Sequence, residues 1–148
     1  MPAEGMVHAL HRSSHLIAAA GSIVDLHPTP ATAVLDAILD SERIVELGEL
    51  HADEARDRHA RADAALAEAV GRGLFSIAGA STFTFRRVSD SIDELIAFVS
   101  GKWNGTFAEP TVARARAASR DGGLLSLREE VAISALRTAG GARCPACT

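Results

Sequence analysis

The stretch GSIVDLHP, Gly21 to Pro28, decides how the rest of the chain is read. Its apolar residues Ile23, Val24 and Leu26 fit a strand that belongs inside a sheet, and Asp25 and His27 arrive at the end where open α/β folds hold ligands. Before it, Ala3 to Ala19 carries Met6, Leu10 and Ile17 within a narrow helical arc, so an amphipathic helix leads into the strand through Gly21. After it, PTPAT cannot continue a strand ladder or a helix, because two prolines in three residues remove the donors both need.

Further along, ATAVLDAILDS fits either a short helix or an extended segment, and RIVELGEL (Arg43 to Leu50) alternates as a strand. HADEARDRHARADAALAEAVGRG is the clearest helix. Asp53 and Glu54 occupy its first turn, alanine fills its body, and Gly71 and Gly73 close it. LFSIAGASTFTFRRV follows as a strand with a bulge or turn expected at Gly79, and Phe83 and Phe85 share a face. SDSIDELIAFVSGKW has the Ser91/Glu94 spacing of a capping box and a stripe of Ile92, Leu95, Ile96 and Val99. Pro110 opens another helix, and LLSLREEVAISALR places Leu125, Leu127, Glu129, Val131 and Ile133 on one side of a strand suited to pair with Phe83 and Phe85.

The chain has 148 residues, 47% of them hydrophobic and 23% charged, with a formal charge of −4. That bounds it to an ordinary globular composition with a core large enough to need no disulfides. Fifteen Lys and Arg against nineteen Asp and Glu leave no basic excess for a nucleic-acid footprint. No apolar run is long enough to span a bilayer and the first residues do not read as a signal peptide, so no membrane association and a cytoplasmic location are expected. The abundance of alanine and arginine, with no tyrosine, suits a GC-rich bacterial genome. The sequence reads as a single α/β domain over 1–138 with a disordered tail over 139–148.

The order of these elements resembles the C-terminal half of class I S-adenosylmethionine-dependent methyltransferases. ALHRSSHLIAAAGSIVDLHPTP (Ala9 to Pro30) is similar to the family's helix, R-P-G-G turn, hydrophobic strand and D-x-x-P around its fifth strand. STFTFRRVSDSIDELIAFV leading into SLREEVAISALR is similar to its last two antiparallel strands with a helix between them. The usual R-P-G-G is here IAAAG, with one glycine. The resemblance implies a partial Rossmann-like three-layer sheet mixed with antiparallel C-terminal strands. The G-x-G-x-G turn with which the family holds its cofactor has no counterpart, and GRG at 71–73 follows a helix rather than a strand. The expectation is therefore a non-catalytic methyltransferase-like fragment, with no cofactor bound and S-adenosylmethionine entering only if the missing half is supplied. It would act through self-association or partner binding. The alternatives are the substrate-side half of an active enzyme completed by another chain and a small metal-binding accessory protein.

Several residues carry possible chemistry. Asp25 and His27 share a strand face, where a carboxylate can tune an imidazole into a general base. His8, His11 and His15 lie at i, i+3 and i+7, and the last two have the spacing for two imidazoles on one metal ion. Cys144 and Cys147 form C-P-A-C, read as reactive thiols in the tail because no second ligand pair accompanies them. His51, Glu54 and His59 read as a solvated face, and HADEARDRH lacks the H-E-x-x-H of zinc proteases. A strand lacking its neighbours leaves unpaired backbone groups, so a homodimer is expected, its interface drawn from Met6, Leu10, Ile17, Ile23 and Val24.

Overall fold

The computed structural model describes residues 3–17, 21–40 and 43–138, with side chains from residue 7 onward. It is an α/β fold whose elements run α1 (Ala3–Leu16), β1 (Ser22–Pro28), β2 (Val34–Ile38), β3 (Ile44–His51), α2 (Asp53–Gly71), β4 (Phe75–Ser89), α3 (Ile92–Trp103), β5 (Thr106–Phe107), α4 (Glu109–Arg120) and β6 (Leu124–Thr138). Strands join in the order β1-β6-β2-β3-β5, and β4 also pairs with β6. The pairings of β2 with β3, β2 with β6 and β3 with β5 are antiparallel. Cys144, Cys147 and the expected tail lie outside the described residues, as does the Met6 side chain.

The chain groups into two compact units, each built from separate stretches of sequence: Met1–His27, Ala60–Thr82 and Ala132–Thr148 form the first, Pro28–His59 and Phe83–Val131 the second. In the first unit the buried centre is Ala69, Phe75 and Leu136, with Leu10, Ile17, Ile23, Leu66, Val70 and Leu74 packed around it. Leu10 and Ile17 of the expected apolar arc are thus partly buried against the chain's own core. Leu10, Ile17 and Ile23, expected at an interface between copies, are packing residues here, whereas Val24 on the other face of β1 is 64% exposed. The turn from α2 into β4 takes a positive φ of 71° at Gly73, which lets the Leu74 N–H reach the Ala69 carbonyl.

In the second unit β2 has a neighbour on each side, with Leu35 opposite Leu127 and Ala37 opposite Leu125. Leu35, Asp36 and Ala37 are buried in succession, the signature of a strand enclosed on both faces. This settles Val34–Ile38, within ATAVLDAILDS, as a strand: two paired edges and both faces outweigh what a short helix would gain. Leu35, Ala37, Leu125 and Leu127 meet Ile92, Leu95 and Val99 of α3 and Ala115 and Ala118 of α4 in one core. Burial in β6 does not keep to one set of alternate residues. Leu125, Leu127 and Val131 are buried, but so are Ser126, Ser134 and Leu136, so the expected one-sided alternation changes phase along the strand.

The cap of α3 departs from a simple capping box. Ser91 accepts from the Glu94 N–H as expected, but the Ser91 N–H goes to the Ser89 hydroxyl, which lies 2.8 Å from the Glu94 carboxylate. Ser89 therefore relays the bond that Glu94 would make directly. Pro110 sits in the first turn of α4, where its missing N–H costs nothing.

The closest approach of helix to strand is α4 on β3. Gly48 has a φ of 154°, and a Cβ there would overlap the buried Thr111 side chain. Gly48→Ala should lower stability by about 1–3 kcal/mol, as overpacking does. Denaturant melts of Gly48→Ala with and without Thr111→Ala check the cause, since the cost should shrink when Thr111 is shortened.

Candidate functional site

In the first unit β1 alternates so that Ile23, Asp25 and His27 turn inward and Val24 and Leu26 outward. The helical run of alanines in α2 brings Asp63 to the same place. His27 Nδ1 lies 2.6 Å from Asp25 Oδ2, and His27 Nε2 lies 2.6 Å from Asp63 Oδ1. The imidazole is 13% exposed. A neutral imidazole donates only one N–H, so two carboxylates at hydrogen-bond distance are both satisfied only by the imidazolium. Burial pulls the His27 pKa down, but the hydrogen bonds to Asp63 and Asp25, with their charges, more than offset it and hold it above the ordinary 6.5.

The sequence singled out Asp25 and His27 and missed Asp63, the group that completes the cluster. Its chemistry also differs from the general-base expectation. An imidazolium donating from both nitrogens has no lone pair to accept a proton, so this arrangement ties β1 to α2 by charge. The three α1 histidines sit apart from it. His11 and His15 rings meet edge to face at 4.7 Å, and His8 and His11 line a cavity of about 310 Å³ with Glu68 and Arg72. Among the described residues, no group of three or more His, Cys, Asp or Glu is placed to hold a metal ion.

The second unit holds two further polar clusters. Asp36, its side chain 3% exposed, accepts from Arg86 at 2.9 Å and from Arg128 at 3.0 Å; Arg86 also reaches Ser126, and Arg128 reaches Glu46. The two guanidinium groups supply hydrogen bonds and opposite charge to a buried carboxylate that would be costly to leave unpartnered. Separately, Thr29, Thr32, Leu50, His59, Trp103 and Glu129 line a cleft of about 30 Å³, room for a water or a small polar group. His59, read as part of a solvated face, is half-buried there, while His51 and Glu54 are exposed as expected. Burial raises the Glu129 pKa, and Arg87 only partly counters it.

No family model matches this chain, and neither a curated protein nor a solved structure matches it. Among the described residues no helix is long and apolar enough to cross a membrane.

The His27 cluster makes stability depend on pH with a definite sign. A raised histidine contributes in full below its unfolded value near 6.5 and loses that contribution as pH rises through the higher folded value. In wild type the His27 ring resonances should therefore titrate above 6.5, and Asp63→Asn should move the midpoint downward. NMR titration of wild type and variant checks both; a midpoint unmoved by Asp63→Asn would refute the clamp.

Proposed function

We propose that this chain is a methyltransferase-like half-fold that does not catalyse by itself and works by association along β4. The resemblance supplies the frame, and the first unit supports it: β6, the last strand, pairs with both β1 and β4, and α2 lies between those two in sequence. β2 and β3 also lie between β1 and β4 in sequence, and β2 pairs with β6 as well. The absence of a glycine-rich turn from this sequence supports a chain that binds no S-adenosylmethionine unaided.

The observation that carries the reading is β4 itself. It runs for fifteen residues, its only strand partner among the described residues is β6, and every residue from Ser76 to Val88 is exposed. Ile77, Phe83, Phe85 and Val88 are each between 42% and 51% exposed. Edge strands are ordinarily shortened, charged or covered, because unpaired N–H and C=O groups beside apolar side chains invite another chain. This one is long and exposes four large apolar side chains beside Arg86 and Arg87. It replaces the α1 arc as the surface through which copies or partners would meet.

Calorimetry of the purified chain with S-adenosylmethionine should give no single-site isotherm, and such an isotherm would overturn the non-catalytic reading. Light scattering over a concentration series should show association that Phe85→Lys weakens by about ten-fold or more, a charge placed on the apolar edge. A monomer throughout, unaffected by Phe85→Lys, would overturn the role of β4.

A further inference from the structure

We infer that the cleft between β6, the start of α2 and the end of α3 binds the ammonium head of a small aliphatic amine, with the Glu129 carboxylate as its counter-charge. The cleft lies wholly within the second unit, and its proposed ligand is independent of association along β4.

Its walls are held by the backbone. The connection from β1 to β2 is tied to β6 where the Thr29 N–H donates to the Glu130 carbonyl, and to the end of β3 where the Leu50 N–H donates to the Ala33 carbonyl, both at 2.9 Å. Trp103 is the last residue of α3, just before Asn104 takes the left-handed conformation, and its ring packs edge to face on Phe98 at 5.2 Å. Ala52 and Ala55, around the start of α2, present only methyl groups, and the space left is about 30 Å³.

The polar groups along these walls are unevenly satisfied. The Thr29 hydroxyl donates to the Glu130 carboxylate, and Arg56 is paired with Asp53 at 2.8 Å. Glu129 is half-buried, yet among the described residues its carboxylate takes no hydrogen bond and no ion pair; the Thr32 hydroxyl and the Trp103 indole N–H are likewise open. Arg87 is held over the Phe98 ring, 3.9 Å from its centroid, and only partly counters the burial that raises the Glu129 pKa. A carboxylate withdrawn from water without a donor is costly, and a cation that brings N–H groups removes that cost.

The size and donor set of the cleft choose among cations. An ammonium head carries three donors on a compact charge: Glu129 takes the charge, the Thr32 hydroxyl accepts a second N–H, and the Trp103 ring offers an aromatic face. A guanidinium is a wide planar fork that suits a larger opening. A divalent metal ion wants several oxygen or nitrogen ligands, and among the described residues no group of three or more His, Cys, Asp or Glu is placed to supply them. An anion would meet the charge of Glu129, and a neutral head would leave that charge uncompensated.

Trp103 is the chain's single tryptophan, so its indole N–H resonance reports on this cleft alone. Titration of wild type with ethylammonium chloride, at ionic strength held constant with sodium chloride, should shift the Trp103 indole and Thr32 amide resonances saturably, with a dissociation constant in the low millimolar range expected of so small a ligand. Acetamide and acetate should bind at least about ten-fold more weakly, and Glu129→Gln should weaken ethylammonium by about ten-fold or more while melting near wild type. No shift with ethylammonium at about 100 mM would overturn the site. Acetamide or acetate binding as tightly as ethylammonium would overturn the choice of a cation, a comparison made on wild type and so independent of how the variant folds. Unchanged affinity in folded Glu129→Gln would overturn the role of Glu129.

Discussion

A carboxylate sealed inside a sheet has to be charged and paired or neutral and alone, and Asp36 is paired. Its partners come from different strands: Arg86 from β4, Arg128 from β6, with Ser126 of β6 opposite Asp36 in register. Breaking such a pair by removing one member strands a buried charge, so a slip of β4 or β6 by one residue would carry a large penalty. Register in the second unit is therefore set by electrostatics on one face and by Leu35, Leu125 and Leu127 on the other. Those same apolar residues give α3 and α4 a surface to pack on. The Arg114 bond and the approach at Gly48 then follow from where α4 lies.

The two ionic clusters divide labour in a physically sensible way. Asp36 lies between two arginines, Arg86 and Arg128. His27 is surrounded by carboxylates and loses its charge when pH rises far enough. Each cluster ties together elements distant in sequence.

Much of the fold was legible because the periodic elements are strong. The alanine-rich α2, the Ser91 cap of α3, the proline at the start of α4 and the alternation of β3 all point locally to what forms. β2 was ambiguous because five residues with Val34 and Ile38 four apart fit a helix turn as well as a strand; only its two neighbours decide. The site was half legible. Asp25 and His27 sit two apart on one strand, a local pattern, but Asp63 is thirty-six residues away in a helix whose charges otherwise read as solvated. Asp36 was hidden for the same reason: nothing nearby in sequence announces that residues fifty and ninety-two positions later supply its partners. The intramolecular packing of Leu10 and Ile17 was not legible, because an apolar helix face looks the same whether its cover comes from the same chain or another.

The phase change along β6 has a consequence for how the polypeptide acquires its structure. Residues 124–131 of β6 belong to the second unit and 132–138 to the first, so one strand serves both. Without it, β2 lacks one neighbour, Asp36 lacks Arg128, and Phe75 lacks Leu136. A nascent chain paused short of Leu124 therefore presents β2 and β4 without the strand that joins them. The contacts that β6 makes with β2, with Asp36 and with Phe75 all close long loops in sequence, and pairings of that kind form slowly.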